Sequence, residues 1–148
     1  MIGIVVSRAD AASTHIGEKL REVGAWTAHE DAADADGGGT YYTTDGFELR
    51  AFDTIHIELG DPAPAFSDPD DLDFLVFVSR HAGETGKLLT AHVTGNFGPA
   101  EYGGEAGSFA RAAPGAQKTV VDALAAHAPD EYEVGIECTH HGPSECPT

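Results

Sequence analysis

Apolar residues along the first part of the chain predict a buried strand followed by a helix. Residues 2–6 are continuously apolar, which is typical of a strand covered on both faces. Apolar residues then recur at helical spacing, at Ala12, Ile16, Leu20 and Val23. Asp10 and Ser13 are both candidate caps for the start of this helix, and Gly24 is its expected end.

The middle of the chain carries β-forming residues and turn signals. Residues 40–44 and 47–52 are predicted to form a hairpin, because the Asp-Gly pair between them is a strong two-residue turn signal. Residues 54–59 form a further β-rich segment. Residues 31–39 are acidic and rich in Gly, and they are predicted to form a loop.

The second half of the chain predicts more strands and two helices. Residues 60–73 are rich in Pro and Asp, which favours a surface loop, and residues 74–78 are the most apolar segment, which favours a central strand. Further elements are expected in this order: a strand over 88–93, a Gly-rich loop over 95–107, a short helix over 108–112, a longer helix over 117–127 and a strand over 132–138. The longer helix has an apolar stripe at Val120, Val121, Leu124 and Ala125.

Strands interleaved with helices predict an α/β fold. We expect a three-layer sandwich around a mixed, mostly parallel sheet, with the hairpin supplying the antiparallel strands. With 148 residues, the chain fits a single domain over residues 1–148. Right-handed crossovers then place site residues at the carboxyl ends of the parallel strands.

Charge limits the partners that this chain can bind. There are 25 acidic residues against 8 basic ones, a formal net charge of −17, and the acids are spread along the chain. That dispersion favours adaptation of the surface to high salt over an acidic tail or a metal-rich site. A broad basic patch for nucleic acid is excluded, and DNA is not an expected partner. Contacts to RNA through single basic side chains remain open, with candidates at Arg8, Arg80, Lys87, Arg111 and Lys118.

The sequence favours a cytoplasmic protein. The first eight residues lack the basic leader and long apolar region of a signal peptide, and no stretch is long enough to cross a bilayer. Cys138 and Cys146 have no CxxC spacing, so a structural disulfide is not expected and Cys138 is interpreted as a buried thiol.

Polar residues with catalytic potential follow two of the predicted strands. Ser79, Arg80 and His81 come directly after the most apolar strand, and His92 and Asn96 lie at the end of the next one. If these strands are neighbours, the two imidazoles approach the same rim of the sheet. Asn96 would supply an amide that can polarise a carbonyl. A hydrolytic site is therefore the first hypothesis.

A second group of candidates lies near residue 140. Glu137 precedes His140 and His141, and the Gly-Pro pair after them indicates that the strand has ended, so both imidazoles can serve one site. A metal site would use two or three imidazoles, with Glu137 as ligand or base and one position left for water. No HExxH signature is present, so zinc and metal-free acid/base chemistry both remain open.

Three motifs together carry a family resemblance. They are Ser79-Arg80-His81, Leu89-Thr90-Ala91-His92-Val93-Thr94-Gly95-Asn96-Phe97-Gly98 and Glu137-Cys138-Thr139-His140-His141-Gly142-Pro143, with a Gly103-Gly104 loop before the last. In this order they resemble the archaeal and plant D-aminoacyl-tRNA deacylase family. Thr94 stands where the family usually has Pro, and residues 83–87 are variable. Family members continue well beyond the last motif, so we expect either a truncated or split form of the domain or a fragment of a longer protein.

The resemblance implies hydrolysis of the ester of a D-aminoacyl-tRNA to free D-amino acid and tRNA, with zinc as cofactor. It also implies a fold related to phosphorylases and peptidyl-tRNA hydrolases, and we expect a monomer. The catalytic candidates are His81, His92, Asn96 and Glu137. The metal candidates are His81, His92, His140 and His141. The substrate-binding candidates are Ser79, Arg80, Thr90, Gly95, Thr139 and Gly142. Two alternatives are another zinc-dependent or metal-free hydrolase on the same fold and an inactive remnant that binds tRNA or a partner.

Overall fold

The computed structural model describes residues 1–31, 39–55, 59, 62–78, 87–92, 94–96, 109–111 and 114–137. The chain forms two compact units, Met1–His81 and Ala82–Thr148. Each unit combines strands with an α-helix in its described part, and the sheets contain both parallel and antiparallel pairs. The predicted α/β class with a mixed sheet is therefore confirmed.

The first unit is built on a five-stranded sheet. Its strands are Ile2–Ser7 (β1), Thr27–Asp31 (β2), Gly39–Thr44 (β3), Phe47–Phe52 (β4) and Phe74–Val78 (β5). Their order in space is β2-β3-β4-β1-β5. β1 runs parallel to both β4 and β5, whereas β3 is antiparallel to β2 and β4. One helix, Ala11–Val23 (α1), follows β1, and two 3-10 turns, Ala63–Ala65 and Pro69–Asp71, precede β5.

The second unit contains four strands and one helix in its described part. They are Leu88–His92 (β6), Thr94–Asn96 (β7), Phe109–Arg111 (β8), Pro114–His127 (α2) and Glu133–Glu137 (β9). β6 and β9 are parallel neighbours, and β7 and β8 form a short antiparallel pair. α2 contacts both β6 and β9, as expected for a helix that crosses over between parallel strands.

Both faces of β1 are buried, as its continuous apolar run predicts. On one face, Ile4, Val6 and Leu49 pack against Leu20 of α1 and against Trp26. The other face forms a second cluster of Val5, Phe52 and Phe66. Gly3 permits this packing, because a Cβ there would lie 2.8 Å from ring and side-chain carbons of Phe66 and Leu75.

A buried ion network lies on the same face of β4 as Phe52. Arg50 donates from Nε to Glu48 Oε1 at 2.5 Å and from a terminal nitrogen to Asp31 Oδ2 at 2.6 Å. The Glu48 carboxylate is fully buried and also accepts the backbone N–H and the hydroxyl of Ser67. The Arg50 guanidinium stacks 4.0 Å from the ring of Tyr41. The network therefore ties β2, β4 and the segment before β5 to one another.

Local signals at α1 and at the hairpin are confirmed. The Asp10 carboxylate caps α1 by accepting the backbone N–H of Ala12 at 2.9 Å, and Gly24 ends the helix. Gly46 has a φ of +76° in the two-residue turn between β3 and β4, a conformation that favours glycine.

Several other predicted elements are wrong in type or position. Residues 109–111 form a strand rather than a short helix, because β7 supplies hydrogen-bonding partners that a one-turn helix lacks. Gly95 and Asn96, predicted as the start of a loop, belong to that partner strand, and Thr54 and Ile55, predicted as strand, lie outside any strand. β5 lies at the end of the described strand order, not at its centre, and its Phe74 and Val76 are exposed.

The predicted apolar stripes are narrower than expected. Val23 is 84% exposed, because α1 ends there beyond the contact that Leu20 makes with the sheet. In α2, Val121 and Leu124 are half-buried, whereas Val120 and Ala125 are exposed. α2 also begins three residues earlier than predicted, at Pro114, a residue type well suited to the first turn of a helix.

Candidate functional site

The ends of β6 and β9 bring two of the sequence motifs together. The two strands are parallel and in register, so His92 pairs with Glu137 at the last position of both strands. One step back along the same face, Thr90 pairs with Gly135. The carboxyl edge of this sheet therefore carries one candidate from the second motif and one from the third.

Residues around the starts of β6 and β9 fix this register. The backbone N–H of Glu133 donates to the carbonyl oxygen of Lys87 at 2.9 Å. The Lys87 ammonium pairs with the Glu131 carboxylate at 3.0 Å and lies 5.6 Å from the centre of the Tyr132 ring. The hydrogen bond from Lys87 lowers the pKa of the Glu131 carboxyl below its ordinary value. Lys87, a candidate for RNA contact, therefore has a carboxylate partner beside the starts of the two strands.

The carboxyl edge of the first unit is held by buried hydroxyl groups. Ser13 of α1 is fully buried, and its Oγ accepts the backbone N–H of Ser7 at 2.9 Å while its O–H donates to the carbonyl of Val78. Thr14 Oγ1 donates to the carbonyl of Ser7 at 3.0 Å, and Ser7 Oγ donates to the carbonyl of Thr54 at 2.9 Å. Ser13 thus fixes the end of β5, directly before the first motif in the chain.

An exposed ion pair lies at the same edge. Arg8 Nε donates to Asp53 Oδ1 at 2.6 Å, and the backbone N–H of Arg8 donates to the carbonyl of Phe52 at 2.7 Å. The hydrogen bond and the positive charge of Arg8 together lower the pKa of the Asp53 carboxyl below its ordinary value. Arg8, another candidate for RNA contact, therefore already has an anionic partner in the protein.

The structure places some of the other candidate residues. Gly95 and Asn96 belong to β7, where they pair with Ala110 and Phe109. Thr90 is half-buried in β6. The remaining candidates lie outside the described residues: Ser79, Arg80, His81, Thr139, His140, His141 and Gly142. Both cysteines also lie outside the described residues.

The expected pairing of the strands that precede the first motif and carry the second one stays a prediction. Among the described strands, β5 pairs with β1, and β6 pairs with β9. The pairing of β6 with β9 was missed from the sequence, although a helix between two strands is a signal for a parallel pair. The role of Ser13 was also missed, because a Ser near a helix start is typical of a cap and Asp10 takes that position here.

The donor atoms near the strand ends are of a kind that zinc accepts. Imidazole nitrogen and carboxylate oxygen are both common zinc ligands. Within the described part of the chain, no three His, Cys, Asp or Glu side chains are grouped as a metal site. Zinc therefore stays a prediction, to which the His92–Glu137 pair contributes two chemically suitable residue types.

Neither α1 nor α2, the two α-helices in the described ranges, is long and apolar enough to cross a membrane.

Two lysines on the helices form ion pairs at the surface. Lys19 and Lys118 pair with Glu22 and Asp122 on their own helices. Two of the eight basic side chains of this strongly anionic chain thus have carboxylate partners within the protein.

Comparison with known proteins identifies close relatives. The chain is 65% identical over 161 residues to the D-aminoacyl-tRNA deacylase of Halorubrum lacusprofundi, covering 98% of this chain and 33% of that protein. It is 66% identical over 146 residues to the D-aminoacyl-tRNA deacylase of Natronomonas pharaonis, covering 97% of this chain and 32% of that protein. It thus spans about a third of the length of these relatives, which come from halophilic archaea.

A solved structure supports the fold. The crystal structure of AF0625, a conserved protein of unknown function, superposes with a TM-score of 0.70 at 29% identity, covering 98% of this chain and 51% of that one.

A family model for D-aminoacyl-tRNA deacylase matches residues 68–148, which include all three motifs. More than half of the chain, with the strand pair that carries His92 and Glu137, thus matches one family description, and the chain belongs to the D-aminoacyl-tRNA deacylase family.

Proposed function

We propose that this chain hydrolyses the ester that joins a D-amino acid to tRNA, releasing free D-amino acid and tRNA. Such a reaction removes D-amino acids before they enter translation. The observation that carries the proposal is the pairing of His92 with Glu137 at the ends of two parallel strands, within the segment that matches the family. Carboxyl ends of parallel strands are where α/β folds place their sites.

The reaction is the attack of a water molecule on the acyl carbon of the ester. The water oxygen bonds to that carbon, the bond from carbon to the ribose oxygen breaks, and the ribose oxygen takes up a proton. A general base and a group that stabilises the developing oxyanion are therefore required. Glu137 is proposed as base, His92 and His81 as proton carriers or metal ligands, and Asn96 as the group that holds the carbonyl oxygen.

Zinc is proposed as the cofactor. Its ligands would come from His81, His92, His140 and His141, all of which offer imidazole nitrogen. A bound zinc ion would supply a Lewis acid and lower the pKa of water. The proposal is supported by the residue types at the strand ends and is tested by metal content.

The remaining parts of the proposal concern substrate and setting. The proposed contacts to the aminoacyl end of tRNA come from Ser79, Arg80, Thr90, Gly95, Thr139 and Gly142. The proposed setting is the cytoplasm of a cell with high internal salt, because a net charge of −17 is tolerated where salt screens repulsion. We propose that the chain acts as a monomer.

A deacylation assay on matched substrates tests this function. The 148-residue chain is incubated with D-tyrosyl-tRNA and with L-tyrosyl-tRNA in molar KCl, with and without a zinc chelator, and bound metal is measured. We expect release of D-tyrosine only, with zinc in the protein and loss of activity on chelation. Release of both enantiomers would indicate a different hydrolase. Zinc without turnover, or tRNA binding alone, would indicate an inactive remnant.

A further inference from the structure

Gly135 lacks the structural reasons that explain the other glycines with described surroundings. Gly39 and Gly46 have φ values of +102° and +76°, which favour glycine. At Gly3, Gly17 and Gly24, a Cβ would lie within 3.0 Å of a neighbouring side chain. Gly135 has no positive φ, and among the residues that the structure describes a Cβ built on it meets no heavy atom within 4 Å.

Glycine in the middle of a strand has a cost that needs a cause. It loses more conformational freedom on folding than any other residue, and it offers no side chain for packing. A glycine inside a strand often marks a bulge, a tight bend, or a place where a ligand or another backbone segment approaches closely. The regular register from Glu133 to Glu137 leaves no bulge at Gly135. Gly135 is the third of five residues in β9, so it is not at a turn or a strand end.

The position of Gly135 in the sheet points to the ligand. It pairs with Thr90, and the next pair on the same face is His92 with Glu137. The distance between these pairs is about 6.6 Å along the strands, at roughly 3.3 Å a residue. The space that the described residues leave open at Gly135 therefore lies next to the proposed reaction centre, on the same face of the sheet.

The opposite face of this sheet is the apolar one. Alternation along the two strands places Leu89, Ala91 and Val134 together on that face. α2 contacts both strands, and its Val121 and Leu124 are half-buried. Because apolar side chains pack against apolar surfaces, we place α2 on this apolar face. Among the described elements of this unit, α2 therefore covers the apolar face and leaves the Gly135 face uncovered.

The residues around Gly135 favour contact with the side chain of the amino acid over contact with the ribose or phosphate of the tRNA. Exposed Leu88 and Glu133 form the pair on the other side of it, 42% of Leu88 being accessible. The Glu133 carboxylate repels a phosphodiester, and the terminal ribose carries a phosphate on its 5′ oxygen. The side chain of the amino acid carries no phosphate, and Leu88 and the Thr90 methyl group offer it apolar contact.

We infer that the space above Gly135, between Thr90 and Leu88, receives the side chain of the D-amino acid, so that Gly135 determines which amino acids are accepted. The inference rests on the proposed function and adds a specificity residue to it. Adding a side chain at position 135 fills space that large amino acids need and small ones do not.

The test compares two substrates of different size. Gly135→Val and Gly135→Ala are assayed with D-phenylalanyl-tRNA and D-alanyl-tRNA, with Ala28→Val as control because it adds bulk at an exposed strand position of the first unit. We expect Gly135→Val to lower kcat/KM for D-phenylalanyl-tRNA by about tenfold or more relative to D-alanyl-tRNA. Gly135→Ala is expected to have a smaller effect in the same direction, and Ala28→Val none.

Each other outcome overturns the assignment in a recognisable way. A wild-type ratio of the two substrates in Gly135→Val would show that the space holds no amino-acid side chain. Unfolding of both Gly135 variants, seen by circular dichroism, would show that the space is not open. If the wild type neither hydrolyses nor binds either substrate, the proposed function itself fails and the assignment of Gly135 fails with it.

Discussion

His92 and Glu137 are register partners at the last pair of β6 and β9, although 45 positions separate them in the sequence. A parallel pair places equivalent ends of two strands at one edge, so one crossover through α2 is enough to join the second and third motifs. A single histidine at a strand end is weak evidence for a site, whereas His92 has a carboxylate residue as its register partner. The register thus brings two candidate site residues to one edge of the sheet.

Ser13 provides the first testable prediction. Ser13→Ala removes the bonds to the Ser7 N–H and to the Val78 carbonyl, and it leaves both groups unsatisfied in a buried place. We expect a loss of about 1–3 kcal/mol in the free energy of unfolding, measured by urea denaturation in molar KCl. Thr14→Val is the matched control on α1.

The control should lose less. Thr14 makes a single bond to the Ser7 carbonyl, and that carbonyl also accepts the N–H of Asp10 at 3.4 Å. An equal loss in both variants would contradict the claim that Ser13 joins β1 and β5. If Ser13 also positions the first motif, kcat should fall in Ser13→Ala while KM for the D-aminoacyl-tRNA stays nearly constant.

The buried network around Arg50 gives the second prediction. Arg50→Met leaves the Glu48 carboxylate buried and without its cation, although Ser67 still donates to it. We expect a loss of about 3–5 kcal/mol in the free energy of unfolding. The double variant Glu48→Leu/Arg50→Met should lose less than Arg50→Met alone, because no uncompensated buried charge remains at position 48.

An exposed pair serves as the control for this network. Lys118→Ala removes the partner of Asp122 on the surface of α2, where both side chains are mostly exposed. Its effect should not exceed about 0.5 kcal/mol. If the double variant is less stable than Arg50→Met, the loss of stability does not come from an unpaired buried carboxylate at Glu48. The ion pair itself then stabilises the fold.

The pair of Arg8 and Asp53 gives a prediction of pH dependence. Arg8 lowers the pKa of the Asp53 carboxyl, so Arg8→Ala should raise that pKa toward its ordinary value of 3.8. Because the folded-state pKa is the lower one, the stabilisation is present above pH 3.8 and is lost as the pH falls through the folded-state pKa. NMR titration of the Asp53 carboxyl carbon measures the change.

Salt should weaken this effect. The Arg8 and Asp53 side chains are 41% and 74% exposed, and ions screen a pair that is open to solvent. We expect the difference between wild type and Arg8→Ala to shrink from low salt to molar KCl, with Lys19→Ala as a control that leaves the pKa of Asp53 unchanged. An Asp53 pKa that is equal in wild type and Arg8→Ala at low salt would contradict the assignment.

Local signals allowed much of the fold to be predicted, while pairings between distant strands did not follow from them. The cap at Asp10, the turn at Gly46 and the burial of β1 each depend on a few adjacent residues, and each is confirmed. β2 was missed because its residues, Thr27–Asp31, are polar and mostly exposed, so that pairing with β3 and not hydrophobic burial makes it a strand.

The candidate site divides in the same way. Motif residues were found from the sequence because imidazole, amide and carboxylate groups have limited chemical uses. The position of Glu137 beside His92 depends on the partner that β6 selects, and a sequence pattern leaves that choice open. Gly135 was missed for a related reason. The role of a glycine depends on the atoms around its Cα, and the sequence does not give these.

The most direct test of the central claim is single-turnover hydrolysis of D-tyrosyl-tRNA by His92→Ala and by Glu137→Gln in molar KCl. We expect each variant to fold with a wild-type circular dichroism spectrum and to react at least about 100-fold more slowly than wild type, with Lys19→Ala, a variant of an exposed side chain on α1, at the wild-type rate. Wild-type rates in both His92→Ala and Glu137→Gln would contradict the claim that this strand-end pair is the reaction centre.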